Sequence, residues 1–327
     1  MKAIVITKAG DPNVLQLQDV EEPTPSDHEI LVQVKATALN RADLLQRRGY
    51  YPPPPGFRED IPGLEFAGQV EAVGQKVGVF QRGDRVMGLL AGEGYAEKVV
   101  THEKMAMPIP LNLSYEEAAS IPEAFITAFD ALICQLDLKL GERLLVHAVG
   151  SGVGIAALQL AKVTGATVFG TAGSAEKIEQ AQSLGLDVGI NYKARDFQEV
   201  VTAVTHGKGV HAILDLVGAA YWDSNLACLA PTGRMILVGL VSGTSVNANL
   251  GTILRKRLRV FGTVLRSRPL EEKIAVTQAF QRHVLPLFET GKIKPVIDRI
   301  FALQEAKSAH QYMEANKNFG KIVLKIA

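Results

Sequence analysis

A glycine-rich segment, H-A-V-G-S-G-V-G from His147 to Gly154, has the residue types of an anion-binding turn. An apolar run before it predicts a strand, and a helical stripe follows it. Backbone N–H groups at the start of that helix would face a phosphate, and glycines allow close approach to a pyrophosphate. The glycines are spaced by two, unlike G-x-G-x-x-G, and a tight turn without a ligand is the alternative. The strand–turn–helix context favours a dinucleotide site.

The segment after the next predicted strand bears on which dinucleotide binds. A site for NAD usually carries an acidic residue there, which accepts a hydrogen bond from the ribose 2′-hydroxyl. Phe169–Gly173 contains no acid, whereas Ser174 begins a helix, Lys177 lies in its first turn, and Tyr192 follows the third strand. A cation and hydroxyls suit a 2′-phosphate. The alternatives are a solvated helix lysine and a packed aromatic residue, but the missing acid favours NADPH.

Alternating strand and helix patterns place this turn in a fold. The strand candidates from Arg143 onward are Leu144–Val149, Thr167–Thr171, Val188–Asn191, Ala212–Val217, Met235–Leu240 and Leu258–Val264. Strands that alternate with helices predict a parallel sheet with both faces covered. The sequence therefore predicts an α/β protein with a doubly wound Rossmann domain and a six-stranded parallel sheet.

The first third of the chain is β-rich. Its strand candidates are Lys2–Thr7, Ile30–Ala36, Gly68–Val73, Arg85–Leu90 and Ala96–Val100. Four successive prolines make Tyr50–Gly56 a stiff loop, because proline fixes φ and lacks an N–H. A capping box of Ser114 and Glu117 begins a helix.

Further helices are predicted over Ala124–Leu136 and from Leu270 to about Glu289. Strand-like runs at Val296–Phe301 and Lys321–Ile326 end the chain. We predict three segments: a β-rich catalytic domain over residues 1–123, the dinucleotide-binding domain over 124–264, and a tail, 265–327, that returns to the catalytic domain.

Composition limits the function classes. The chain has 35 basic and 34 acidic residues among 327, which favours a small-molecule enzyme over a nucleic-acid or membrane partner. The basic cluster within Arg255–Arg259 is interpreted as a solvated face. Two cysteines, Cys134 and Cys228, cannot form a disulfide framework or a four-cysteine zinc site. Because no signal peptide and no apolar run of about 20 residues is visible, we expect a cytoplasmic protein.

Several separated motifs carry a family resemblance. They are A-L-N-R-A-D-L at Ala38–Leu44, I-P-E-A at Ile121–Ala124, S-G-V-G at Ser151–Gly154, T-A-G-S at Thr171–Ser174, L-R-S-R at Leu265–Arg268 and Y-M-E-A-N-K-N at Tyr312–Asn318. The chain resembles the zinc-free quinone oxidoreductase branch of the medium-chain dehydrogenase/reductases over essentially its whole length. The resemblance implies a chaperonin-like β-rich catalytic domain, a Rossmann domain, NADPH in a cleft between them, and a homodimer.

The resemblance also implies site residues. Tyr51 would lie beside the nicotinamide or the acceptor, with Asn40 and Asp43 as further catalytic candidates. The alternatives are a Tyr51 that only packs in its proline-rich loop and an Asp43 that caps a helix or forms a structural pair. The cofactor-binding residues that it implies are Tyr51, Thr127, Gly150, Ser151, Gly152, Val153, Gly154, Ser174, Lys177, Tyr192, Gly239, Leu240, Val264, Leu265, Arg266 and Asn318. Val264–Arg266 would meet the carboxamide through the backbone.

Residue types at the expected zinc positions predict that no metal binds. Zinc enzymes of this superfamily have a cysteine near position 40 and a His–Glu pair near position 65. This chain has Asn40, and Leu64 precedes Glu65; asparagine and leucine are not zinc ligands. We therefore expect an NADPH-dependent quinone oxidoreductase. The alternatives are a reductase of activated C=C bonds and, in another class, a crystallin-like structural or RNA-binding protein.

Overall fold

The computed structural model describes residues 1–326, and its chain divides into two units. One unit contains Met1–Ile126 together with the segment from Leu265 onward, and the other contains Thr127–Val264. Each unit has its own sheet and its own buried apolar core. No helix in residues 1–326 is both long and apolar enough to cross a bilayer.

The unit Thr127–Val264 is built on a parallel sheet. Its strands are β8 (Arg143–Val146), β9 (Thr167–Ala172), β10 (Val188–Asn191), β11 (Val210–Asp215), β12 (Leu229–Leu237) and β13 (Arg259–Gly262). Their order is β10-β9-β8-β11-β12-β13, and every pairing is parallel. The predicted six-stranded parallel sheet is therefore confirmed, in the doubly wound strand order.

Helices follow the strands of this unit in alternation. They are α4 (Gly152–Val163), α5 (Ala175–Ser183), α6 (Phe197–Val204), α7 (Trp222–Cys228) and α8 (Leu250–Lys256). Four of them begin with a side-chain cap on a backbone N–H, from Ser151, Ser174, Asp196 and Asn249. The caps set the helix starts next to the carboxyl ends of the strands, where ligands bind in open α/β sheets.

The other unit is built on a mostly antiparallel sheet. Its strands are β1 (Lys2–Ile6), β2 (Leu15–Asp19), β3 (Glu29–Ala38), β4 (Glu65–Val73), β5 (Arg85–Leu89), β6 (Lys98–His102), β7 (Ala106–Pro108), β14 (Ile297–Ala302) and β15 (Lys321–Lys325). Strands β1 and β2 form a separate pair, and the other seven form one sheet. The C-terminal strand β15 pairs antiparallel with β3, so the last segment of the chain joins the sheet formed by the first.

The helices of this unit differ from expectation at three places. They are α1 (Arg41–Arg47), α2 (Tyr115–Ala119), α9 (Leu270–His283), α10 (Leu285–Glu289) and α11 (Ala306–Glu314), together with α3 (Pro122–Phe129), which begins in this unit and ends in the other. The single long helix predicted from Leu270 is wrong: it ends at His283, because Pro286 cannot continue it. The run predicted over Ala124–Leu136 begins earlier, at Pro122, and becomes a π-helix over Asp130–Gln135. Helix α1 was not predicted.

Candidate functional site

The glycine turn joins β8 to α4 and is tightly packed. Ala148 has a left-handed backbone, with φ at 50°. A Cβ on Gly154 would lie 2.3 Å from the carbonyl oxygen of Ala148, so only glycine fits there. The hydroxyl of Ser151 accepts a hydrogen bond of 3.0 Å from the N–H of Gly154 and caps the helix. The turn therefore keeps its own backbone close to the start of α4, which is the arrangement that a phosphate site requires.

A buried hydrogen-bond network stabilises this turn. Asp215 accepts from the side-chain amide of Asn225, whose oxygen accepts from His147 Nε2 at 2.6 Å. The other ring nitrogen of His147, Nδ1, accepts from the hydroxyl of Thr171 at 3.0 Å, and the oxygen of that hydroxyl accepts from the backbone N–H of Ala148. Burial lowers the pKa of His147 to about 4, so the ring is neutral and bridges two neutral partners. The network fixes the turn to β9, β11 and α7.

The residues predicted to bind a 2′-phosphate lie together. Ser174 caps α5 by accepting from the N–H of Lys177 at 3.3 Å. The hydroxyl of Tyr192 lies 2.7 Å from the position that a Cβ on Gly173 would occupy, and Lys193 Cε lies 3.5 Å from it. The Tyr192 hydroxyl and the Lys193 side chain therefore lie at the end of β9, and Lys177 lies in the first turn of the helix that follows it. Lys193, which was not predicted, follows Tyr192 directly in the sequence.

The remaining predicted cofactor residues are spread over both units. In the unit Thr127–Val264, Gly239 follows β12, while Leu240 and Val264 are each 44% exposed near strand ends. Thr127 is buried in α3. In the other unit, Leu265 is buried, and Asn318 donates to the carbonyl of Gly320.

The predicted catalytic residue Asn40 belongs to a buried polar cluster. Its amide nitrogen donates to Glu65 Oε1 at 2.8 Å, and its amide oxygen accepts from Lys321 Nζ at 2.6 Å. Lys321 also donates to Glu65 Oε1 at 2.7 Å and to the carbonyl of Leu39. The side chains of Glu65 and Lys321 are 0% and 6% exposed. An ammonium ion thus neutralises the carboxylate inside the unit.

Asp43 is fully buried and acts as a structural acceptor. Its carboxylate accepts from the N–H of Asn40, the N–H of Gly63 and the hydroxyl of Tyr95, at 2.7, 3.2 and 3.1 Å. Burial raises its pKa to about 6, against the lowering effects of the Asn40 N–H, the Lys321 charge and the Tyr95 hydroxyl. The hydroxyl of Tyr95 also contacts the neutral ring of His310, and that ring in turn contacts Arg47. Asp43 therefore holds the start of α1 and the loop at Gly63.

Tyr51 is held in its proline-rich loop by Arg266. The guanidinium donates to the backbone carbonyls of Tyr51 and Ala91, at 2.8 and 2.6 Å, and to Gln46 Oε1 at 2.6 Å. Its central carbon lies 5.0 Å from the centroid of the Tyr51 ring, in cation–π range. Arg266 was predicted to contribute only its backbone. The four prolines indicated a stiff loop, but nothing in the sequence showed which side chain would fix it.

Glu123 is a further carboxyl group in this unit. It lies in the first turn of α3, is partly buried, and its backbone N–H donates to Glu65 Oε2 at 2.8 Å. Burial, followed by the negative charge of Glu65, raises the pKa of Glu123 to about 8. Sequence reasoning missed it, although it is the only charged residue of the I-P-E-A motif.

The residues at the expected zinc positions do not form a metal-binding set. Leu64 is buried, and Asn40 is hydrogen-bonded on both sides of its amide. Within residues 1–326, no group of three or more His, Cys, Asp or Glu side chains is placed to hold a metal ion. The side chains that are present suit a metal-independent site, and that remains a prediction.

Two family models match the chain: the alcohol dehydrogenase GroES-like domain over residues 26–111 and the zinc-binding dehydrogenase over residues 152–282. A quinone oxidoreductase of Pseudomonas aeruginosa is 34% identical over 328 residues, covering 99% of each chain. The structure of Escherichia coli quinone oxidoreductase complexed with NADPH superposes with a TM-score of 0.89 at 31% identity, covering 99% of this chain and 100% of that one. CurK enoyl reductase superposes with a TM-score of 0.89 at 29% identity, covering 100% and 99%. The β-rich unit is therefore GroES-like, and the chain belongs to the quinone oxidoreductase family of the medium-chain dehydrogenase/reductase superfamily.

Proposed function

We propose that the protein is an NADPH-dependent quinone oxidoreductase that works without a metal. The observation that carries the proposal is the Tyr51 ring, fixed by Arg266 and partly exposed. A fixed aromatic ring can stack on a flat acceptor and offer a hydroxyl to its oxygen. A quinone delocalises incoming charge in its own ring system, so it needs less polarisation than a simple ketone.

NADPH is the proposed cofactor, and it supplies the hydride when it is bound. The start of α4, with Ser151 as its cap, would hold the pyrophosphate. Lys177, Lys193 and Tyr192 would hold the 2′-phosphate, since Tyr192 and Lys193 lie against Gly173 at the end of β9 and Lys177 lies in the first turn of α5. The NADPH complex of the E. coli relative supports this choice.

Tyr51 would position the acceptor, while Asn40 and Asp43 act through their neighbours. Asn40 has both ends of its amide engaged, and the carboxylate of Asp43 is fully buried. We therefore propose that these two are positioning residues: Asp43 holds the start of α1 and the loop at Gly63, and Asn40 joins Glu65 to Lys321.

The test is a steady-state assay of NADPH oxidation by the purified protein with quinones, enones and simple ketones side by side. We expect ortho- or para-quinones to give the highest kcat/KM and simple ketones to be poor substrates. The proposal fails if enones are preferred by a wide margin.

Removing the hydroxyl of Tyr51 is expected to have a small effect. Tyr51→Phe keeps the ring and should retain measurable activity, because a reduced quinone can take protons from other donors. Tyr51→Ala removes the stacking surface and should raise the KM of the quinone more than it lowers kcat. Initial rates over a range of quinone concentrations measure both. An equal and complete loss of kcat in both variants would show that the hydroxyl is indispensable.

Reduction of an activated C=C bond is the second candidate function. The likeness to CurK enoyl reductase favours it, and the same hydride donor would serve both reactions. An RNA-binding role has less support, because the net charge is +1 and RNA binding depends on a strongly basic surface.

We also propose a homodimer. Strand β13 lies at one end of the parallel sheet, where a second copy would extend the sheet across a two-fold axis.

A further inference from the structure

A carboxylate at one end of the buried network fixes where its protons lie. Asp215 Oδ1 accepts from the backbone N–H groups of Val217 and Gly218, and Oδ2 accepts from a side-chain amide at 3.1 Å. That amide belongs to Asn225, so its oxygen must face His147, where it accepts from Nε2 at 2.6 Å. Because burial lowers the pKa of His147 to about 4, the ring carries a single N–H at neutral pH. Asp215 therefore determines which nitrogen of the ring bears the proton.

The hydrogen bonds continue in the same direction from His147 to the glycine turn. Nδ1 of the ring has no proton and accepts from the hydroxyl of Thr171 at 3.0 Å. Since the hydrogen of that hydroxyl points to the ring, its oxygen can accept from the N–H of Ala148 at 3.3 Å. The rings of Phe197 and Tyr221 pack against the imidazole, with centroids 4.9 and 4.7 Å away. A continuous chain of donors therefore leads from the backbone of Ala148 to the buried carboxylate.

Ala148 is the point at which this chain bears on the proposed phosphate site. Its φ of 50° lies in the left-handed region, which costs free energy for a residue that has a Cβ. Its carbonyl oxygen accepts from the N–H of Ser151 at 2.9 Å and leaves no room for a side chain at Gly154. A change of conformation at Ala148 would therefore move the residues that begin α4.

The chain also spans the part of the sheet where dinucleotides bind. Strands β9 and β10 lie on one side of β8, whereas β11, β12 and β13 lie on the other. In open α/β sheets a ligand lies outside the carboxyl ends of the strands, at the point where the strand order reverses. Thr171 lies near the end of β9, His147 directly follows β8, and Asp215 ends β11. The buried chain therefore joins three neighbouring strand ends at that edge.

We propose that Thr171, His147 and Asn225 are positioning residues for the cofactor, which hold Ala148 in its left-handed conformation so that the glycine turn is formed before the dinucleotide binds. This inference rests on the proposed function. A preformed turn does not have to be ordered on binding, and this favours affinity. The pyrophosphate is common to NADPH and NADH, so the chain should contribute equally to the binding of both. The residues proposed for the 2′-phosphate would instead separate the two cofactors.

The test is the Kd of NADPH and of NADH, measured by nicotinamide fluorescence, for the wild type, Thr171→Val and Thr171→Ser. Valine replaces the hydroxyl by a methyl group, so Thr171→Val should raise both Kd values by about 10-fold, the scale of one lost buried hydrogen bond. The ratio of the two Kd values should stay as in the wild type, and the loss should appear in the KM of NADPH rather than in kcat. Thr171→Ser keeps the hydroxyl and should recover most of the lost affinity.

Thr205→Val is the matched control. The hydroxyl of Thr205 is buried in the same unit, donates to the carbonyl of Val201 and accepts from the N–H of Gly209. Its loss should lower the free energy of unfolding, as the loss of the Thr171 hydroxyl does, but should leave both Kd values unchanged. The comparison separates positioning of the turn from a general loss of stability.

A second-site variant tests whether the hydroxyl acts through Ala148. Glycine adopts the left-handed conformation readily, so Ala148→Gly should depend less on the hydroxyl of Thr171. In the Ala148→Gly background, Thr171→Val should raise the Kd of NADPH by no more than about 3-fold, because the two positions are coupled. An equal effect of Thr171→Val in both backgrounds would overturn the inference.

A further readout needs no cofactor. Nitrogen NMR spectra of isotope-labelled protein should show the ring of His147 uncharged at neutral pH and protonated at Nε2. The signal is identified by its change in Thr171→Val, which removes the donor to Nδ1. Protonation at Nδ1 would overturn the inference, because Thr171 could not then donate to that nitrogen, and so would unchanged Kd values in Thr171→Val. A wild type that binds neither cofactor would instead contradict the proposed function, and the wild-type titration alone reveals it.

Discussion

Replacing Lys321 by methionine is expected to lower the free energy of unfolding by about 3–5 kcal/mol, the usual cost of removing one partner from a buried ion pair. Lys321 Nζ donates to Glu65, to Asn40 and to the backbone of Leu39, and its side chain is 6% exposed. Methionine has a similar length but no charge, so the Glu65 carboxylate would remain buried without its cation.

Urea unfolding of wild type and Lys321→Met, followed by circular dichroism, measures this loss. The matched control is Lys325→Met, four residues on in the same strand, whose ammonium pairs with Glu116 and is 61% exposed. Exposed ion pairs contribute about 0–1 kcal/mol, so the control should change little. The double variant Lys321→Met with Glu65→Leu should recover part of the loss, because no buried charge is left unpaired. A loss below about 1 kcal/mol in Lys321→Met would contradict the ion-pair assignment.

Replacing Lys177 by alanine is expected to weaken NADPH binding by about 1–3 kcal/mol, the scale of a hydrogen bond to a charged group. The corresponding increase in Kd is ~5- to 150-fold. NADH lacks the 2′-phosphate, so its Kd should be nearly unchanged. In the wild type, NADPH should bind much more tightly than NADH. The segment Phe169–Gly173 has no acidic side chain that could accept a hydrogen bond from the ribose 2′-hydroxyl of NADH.

Fluorescence titration of each cofactor into each variant measures these constants. Lys208→Ala is the control, because Lys208 is an exposed lysine of the same unit in a different loop. Lys193→Ala should have an effect of the same sign as Lys177→Ala, because Lys193 lies at the same end of β9. Equal Kd values for NADPH and NADH in the wild type would remove the basis of the 2′-phosphate assignment.

The parallel sheet could be predicted from sequence because its signals are local. Strand β10 has the predicted bounds, Val188–Asn191, since a short apolar run between a helix and a polar turn admits few alternatives. The predicted single helix from Leu270 is wrong, because Pro286 interrupts it. Helix α1 was not predicted, because Arg41–Arg47 is only seven residues long. The N–H of Asn40 at its start is bonded by the carboxylate of Asp43, which lies inside the first turn of the helix.

The glycine turn and the residues near Tyr192 were predictable because short motifs carry their chemistry. The buried ion pair was not, because Glu65 and Lys321 are 256 residues apart and become neighbours only through the pairing of β15 with β3 and of β3 with β4. The same limit applies to Arg266, whose side chain reaches Tyr51 across 215 residues. Local patterns specify elements, whereas burial and charge pairing depend on how distant strands pair in the sheet.

The most direct test of the central claim is NADPH oxidation by chelator-treated protein with 1,4-naphthoquinone, methyl vinyl ketone and acetone as acceptors. The residues at Asn40 and Leu64 predict that the chelator leaves the rate unchanged. We expect kcat/KM to be highest with the quinone and lowest with acetone. Loss of activity with the chelator and its return with added zinc would contradict metal-independent catalysis, and a failure to oxidise NADPH with the quinone would contradict the proposed function.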